Sequence, residues 1–274
     1  SSAASDVYKR QDENTIYWVE IHPQYHEINL NAAPLHIGRL MEKHLWYQKQ
    51  SVILTSATLT TNGDFEYLRH RLNAEDADDL VVGSPFDYET SALVYLVTDI
   101  PEPSNYNGHQ AAVEMAIASV AKASGGRMLA LFTSYAQLQR TSDKISPILA
   151  HDDIQVYEQG EGASNNMLLE TFRETEKAVL LGTRNFWEGV DVPGDALSVL
   201  VIVKLPFDVP SDPIISARSE TFDDPFYQYA LPEAILRFRQ GFGRLIRTQT
   251  DRGVVVVLDK RVLTKQYGRL FMEL

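Results

Sequence analysis

The sequence predicts an α/β fold, a parallel sheet covered by helices on both faces, and three observations lead to it. Short apolar runs rich in Val, Ile and Leu alternate with amphipathic stretches of helical period from Leu93 to Leu258. Strands and helices that alternate in this way, at this length, specify a parallel sheet buried on both sides. The composition allows it, since 274 residues with 44% hydrophobic and 23% charged side chains can bury a sizeable core.

Taken in order, residues 1–11 (SSAASDVYKRQ) show no periodicity and are read as a scar outside the fold. Residues 15–21 (TIYWVEI) are β-branched and aromatic and predict a strand, 35–48 predict a helix, and 51–55 (SVILT) a short buried strand. A polar helix around 63–72 precedes the acidic run Glu75 to Asp79, a solvated loop, then a strand at 80–82 and the loop Gly83 to Phe86. Strand 93–98 runs into Pro101 to Gly108, the most turn-rich segment of the chain. Beyond it the spacing predicts helix 109–123, strand 127–133, helix 135–149, strand 154–157, helix 164–174, strand 178–182, strand 198–204, helix 230–248 and strand 253–258. The chain reads as a fragment at both ends, with 12–90 as the tail of one domain and 91–274 as a nearly complete second one.

Cysteine is absent, which removes disulfides, thiolate zinc sites, iron–sulfur ligation and cysteine nucleophiles from this chain and favours a reducing, cytoplasmic location. No stretch approaches the roughly 18 apolar residues of a membrane span. The net charge of −12 argues against a protein that coats nucleic acid. The average conceals an asymmetry, because residues 237–269 hold nine Lys and Arg against Asp251 and Asp259 and so carry +7. An anionic partner is expected there.

In parallel sheets function sits at the carboxyl ends of strands, and the unusual residues fall there. Strand 51–55 runs into Ser56-Ala57-Thr58-Leu59, strand 127–132 into Thr133-Ser134-Tyr135, and strand 178–182 into Thr183-Arg184-Asn185-Phe186-Trp187-Glu188-Gly189-Val190-Asp191. Hydroxyls and free backbone N–H groups at strand-to-helix turns suit phosphate oxygens, although each alone is also what ordinary helix capping requires. On a helix Gln240, Arg244 and Arg247 are spaced i, i+4, i+7, so two guanidinium forks converge on one face. Gly241 and Gly243 weaken such a helix, which a close approach of backbone or ligand offsets. The same pattern also suits a solvated basic face, with Leu245 and Ile246 on the buried side.

These four segments in this order, Ser56-Ala57-Thr58-Leu59, Phe132-Thr133-Ser134-Tyr135, Gly182 to Gly194 and Gln240 to Arg247, resemble the XPD/DinG family of superfamily-two DNA helicases, the DinG branch in particular. The resemblance implies a RecA-like fold, with residues 12–90 ending the first RecA-like domain and 91–274 forming the second. It implies that Ser56 and Thr58 couple nucleotide state to the gap between the domains. Thr133, Ser134, Tyr135, Thr183 and Arg184 then contact DNA, and Glu188, Gly189 and Asp191 lie on the nucleotide side. Gln240, Arg244 and Arg247 face the γ-phosphate of ATP, with one arginine as the finger that stabilises transition-state charge. The expected activity is ATP-driven translocation on single-stranded DNA, 5′ to 3′, with unwinding at duplex junctions in repair or replication, by a monomer without membrane association.

The chain also departs from the family pattern. It contains no Gly-Lys of a P-loop and no Asp-Glu-x-His box, so ATP and Mg²⁺ are expected to be held mainly by residues outside it, and the chain alone should not hydrolyse ATP. His22, His26 and Glu27 do not form a metal motif, and Trp18, Trp46 and Trp187 suit the core, Trp187 also a base platform. The competing readings are a non-catalytic nucleic-acid-binding or regulatory module and an RNA-directed motor. The intact Asp191, Gln240, Arg244 and Arg247 favour the enzyme.

Overall fold

A computed structural model describes residues 14–22, 27–60, 63–84, 86–160, 164–187 and 197–272. The chain divides into two units: Ser1–Leu80 with Phe207–Glu233, and Val81–Pro206 with Ala234–Leu274.

In the first unit, β1 (Thr15–His22) pairs antiparallel with β2 (Glu27–Pro34), placing Val19 opposite Leu30. The sequence predicted β1 alone. The expected helix over 35–48 is one α-turn, Gly38–Met41, continued by a π-helical turn, Glu42–Trp46. The polar helix forms over Glu66–Leu72 and ends on Asn73 in the left-handed region at φ 49°. The strands expected at 51–55 and 80–82 do not form, and Ile53 and Leu80 are 84% and 81% exposed. Their apolar residues satisfy the pattern, but a strand needs a ladder partner and no described segment pairs with either. A single break near residue 90 also misses that 207–233 belongs to this unit. Arg218 donates to the carbonyls of Leu35 (3.0 Å) and Pro34 (3.2 Å), and Glu233 accepts from the Tyr67 hydroxyl at 2.6 Å and pairs with Arg71.

The second unit carries the sheet. Its strands are β3 (Ala92–Leu96), β4 (Met128–Leu131), β5 (Gln155–Glu158), β6 (Ala178–Gly182), β7 (Val199–Ile202) and β8 (Gly253–Val257), in the order β3-β8-β7-β4-β6-β5, every pairing parallel. The central strands β4, β6 and β7 are buried at every position. One face packs Met128, Ala130, Val179, Leu181, Val199 and Val201 against Val113, Ile117, Leu138, Ile145 and Leu149 of helices Tyr106–Ser124 and Tyr135–Ala150. The other is met by helix Leu231–Phe242, whose Gly241 lies beside Leu131. The expected parallel sheet with helices on both faces is therefore the observed one. No described helix is long and apolar enough to cross a membrane.

Caps set the helix starts. Asn105, Ser134 and Ser164 each accept a hydrogen bond from a backbone N–H three residues on, satisfying one orphan donor of the first turn. Helix Leu231–Phe242 stops six residues short of the expected Thr248.

Candidate functional site

The sheet register lines up the strand ends. Leu131 of β4 sits beside Gly182 of β6 and Ile202 of β7, and Ile202 sits beside Val257 of β8. The ladder runs one residue further on each pair, Phe132 N–H to the Gly182 carbonyl (2.8 Å), Val203 N–H to Leu131 (3.1 Å), Leu258 N–H to Ile202 (2.9 Å) and Gln159 N–H to Leu181 (3.0 Å). Gln159, Thr183, Thr133, Lys204 and Asp259 therefore leave five adjacent strands in that spatial order.

Ser134 caps helix Tyr135–Ala150, its Oγ accepting from Gln137 N–H at 3.4 Å. Capping consumes an acceptor lone pair and leaves the hydroxyl proton available, so the capping and phosphate-donor roles coexist. The Tyr135 ring is exposed and its hydroxyl accepts from Gln139 Nε2 at 3.3 Å. Thr183 differs, since both its N–H and its hydroxyl donate to Gln159 Oε1, each at 2.8 Å. That hydroxyl reaches a phosphate as a donor only if Gln159 lets it go. Gln159 went unnoticed in the sequence, where a lone glutamine after a short strand carries no signal.

The glycine- and arginine-rich segment departs from the expectation. The helix ends at Phe242, and i→i+3 bonds from Arg244 N–H to Gly241 (3.0 Å) and from Leu245 N–H to Phe242 (3.1 Å) tighten the chain into a turn. Asp251 then accepts from the N–H groups of Arg247 and Thr248, both at 2.8 Å. Burial pushes the Asp251 carboxyl up, but the Thr248 hydroxyl and these two N–H groups outweigh it and hold the pKa below its ordinary value. Gln240, Arg244 and Arg247 thus do not share a helical face. Gln240 lies in the last helical turn, Arg244 in the turn beyond it, and Arg247 on the segment that Asp251 anchors, while Leu245 and Ile246 are buried as expected.

A tryptophan gathers these pieces. Trp187, 1% exposed, ends a short helix Arg184–Trp187 and donates from Nε1 to the Phe132 carbonyl at 3.3 Å. Its own carbonyl accepts from Arg244 Nη2 at 3.0 Å. A Cβ on Gly241 would stand 2.9 Å from two of its ring atoms, so the close approach that offsets a glycine here is to this indole. The ring is core, not a base platform. Segments 132–135, 183–187 and 240–247 therefore meet around one residue.

Beside them Asp259, at the end of β8, is fully buried. It accepts from Leu205 N–H (2.9 Å) and from Arg261 through Nε (2.9 Å) and Nη2 (2.6 Å). Burial together with the Arg261 charge lowers the Lys204 pKa. His109, in the first turn of helix Tyr106–Ser124, is buried with Nε2 at 3.0 Å from the Leu258 carbonyl. The sequence reading counted Asp259 and Arg261 only in the charge of the 237–269 segment and passed over Lys204 and His109, because only strand order brings the four together. In the first unit, Ser56 Oγ accepts from Thr58 N–H at 3.2 Å in an exposed turn. Glu188, Gly189 and Asp191 lie outside the described residues, as does the side chain of Arg184.

Comparison with known proteins places the chain in a family. Residues 117–274 match the helicase C-terminal domain family. The 3′-5′ exonuclease DinG of Bacillus subtilis (strain 168) is 36% identical over 277 residues, covering 96% of this chain and 29% of that protein. The ATP-dependent DNA helicase YoaA of Escherichia coli (strain K12) is 36% identical over 260 residues, covering 93% and 40%. An XPD helicase structure superposes with a TM-score of 0.68 at 20% identity over 98% of this chain and 48% of that one, a likeness of fold. The chain thus spans less than half the length of each of these relatives.

Proposed function

The chain belongs to the helicase C-terminal domain family, in its DinG/XPD branch, and from that premise we propose that it is the C-terminal motor portion of an ATP-dependent DNA helicase. The observation that carries this reading is the meeting of the hydroxyl-bearing strand ends and the arginine segment around Trp187. A shift at the arginines on nucleotide binding or release is then felt at the strand ends through a buried, hydrogen-bonded side chain.

In this proposal Thr133, Ser134 and Tyr135, with Thr183 and Arg184, follow the backbone of single-stranded DNA, and Gln240, Arg244 and Arg247 face the γ-phosphate. The donors suit both roles. Phosphate oxygens are acceptors, and the first turn of helix Tyr135–Ala150 adds the positive end of its dipole to the Ser134 hydroxyl. Arginine forks stabilise the charge that develops on a transferring phosphoryl group. Ser56 and Thr58 couple nucleotide state to the domain gap, and Glu188, Gly189 and Asp191 border the nucleotide. Mg²⁺ enters with ATP and is held mainly by residues outside this chain. Contacts to phosphate rather than base edges make translocation, 5′ to 3′ along the strand towards duplex junctions, independent of sequence. The working form is a monomer in the cytoplasm.

The test uses the longer protein that carries this chain. Arg247→Ala is expected to lower kcat for ATP hydrolysis by roughly 10³-fold while single-strand affinity stays within a few-fold. An unchanged kcat returns Arg247 to a solvated basic face. Ser134→Ala with Thr183→Ala is expected to weaken single-stranded DNA binding, and unwinding assays on DNA and RNA duplexes separate the DNA motor from an RNA-directed one. Loss of DNA-free ATPase with intact strand binding would instead place these hydroxyls on the nucleotide.

A further inference from the structure

We propose that Lys204 is a further cation that holds the strand's phosphates at this edge, an assignment that rests on the nucleic-acid reading above. The strand contacts proposed so far offer hydroxyls, a helix terminus and, from Arg184, a guanidinium whose side chain lies outside the described residues. Phosphodiester groups are anions, and hydrogen bonds from a charged donor are roughly twice as strong as those from a neutral one. A further cation beside the hydroxyls therefore strengthens the hold on a phosphate.

The register supplies such a charge. Val203 N–H bonds to the Leu131 carbonyl, so Lys204 leaves β7 beside Thr133, with Ser134 next along that chain. On its other side Leu258 N–H bonds to Ile202, which puts Asp259 next to it.

Lys204 is also poised electrostatically. It is half-buried and makes no hydrogen bond or ion pair among the described residues. The carboxylate beside it is already committed, for Asp259 holds Arg261 through two nitrogens and Leu205 N–H besides. The other titratable group at this strand end, His109, brings no negative charge. Asp259 attracts the Lys204 ammonium only in part, against burial and the Arg261 charge, and a phosphodiester supplies a second anion. Burial and the neighbouring Arg261 accordingly hold the Lys204 pKa below the ordinary lysine value, a shift that a bound anion would reverse. A compact ammonium with three donors reads charge and not base identity, as a sequence-independent track requires.

The experiment uses the longer protein, oligo(dT) as probe, and titrations at several NaCl concentrations. Each phosphate neutralised on a single strand adds about 0.7 to the slope of log K against log salt. Lys204→Gln is expected to reduce the slope by about that amount and weaken binding several-fold at low salt, and Lys204→Arg to restore both. In the unsubstituted protein, bound oligo(dT) is expected to shield Lys204 from acetylation, read by mass spectrometry, a measurement that stands even where the glutamine variant fails to fold. Wild-type binding with an unchanged slope in Lys204→Gln and no shielding overturns the assignment of Lys204 and leaves the strand-binding reading intact. A wild-type protein that binds neither oligo(dT) nor oligo(rU) overturns both.

Discussion

At the scale of single residues, His109 shows how a side chain with no catalytic part makes the fold sensitive to pH. It is 1% exposed, and burial lowers its pKa, the Leu258 carbonyl and Asp259 opposing and the charges of Lys204 and Arg261 reinforcing the shift. The unfolded chain binds a proton near pH 6.5 and the folded chain resists it, so stability is complete above that value and falls as the pH drops below it. Urea midpoints at pH 7.5 and pH 5.5 should differ in the wild type and differ less in His109→Gln, whose amide can still donate to Leu258. Parallel shifts in the two proteins would assign the acid sensitivity to other groups. Ser134 and Thr133 were legible in the sequence because a hydroxyl after a buried strand stands out. His109, Gln159 and Lys204 were not, since each acts through a neighbour from a remote part of the chain.

Among the elements, helix Leu231–Phe242 separates propensity from packing. Helical spacing extends through Thr248, yet the two glycines have different reasons to be there. A Cβ at Gly241 meets the Trp187 ring at 2.9 Å, whereas one at Gly243 meets only the carbonyls of Arg239 and Gln240 at 3.5 and 3.7 Å. Gly241→Ala is expected to cost about 1–3 kcal/mol through overpacking, more than the roughly 1 kcal/mol that alanine gains in a helix. Gly243→Ala is expected to be neutral or mildly stabilising, and thermal melts of the two variants decide it. Equal melts would mean that the indole gives way. The strands expected at 51–55 and 80–82 fail for the complementary reason, since a pattern that suits a strand cannot form one without a partner edge.

At the scale of the whole molecule, the second unit holds the arginines and the proposed strand contacts but no Gly-Lys of a P-loop and no Asp-Glu-x-His box. The purified 274-residue chain is therefore expected to show no DNA-stimulated ATP hydrolysis, and turnover above background in a phosphate-release assay would refute this. By itself the sequence determined the fold class, the buried strands of the second unit and the segments proposed to bear the chemistry. These follow from local periodicity and from residue types at strand ends, which a chain displays without folding. The tertiary structure decided the strand order β3-β8-β7-β4-β6-β5, the return of 207–233 to the first unit, the early end of the arginine helix and the place of Trp187. Each depends on contacts between residues distant in sequence, and no local pattern records which strand will lie beside which.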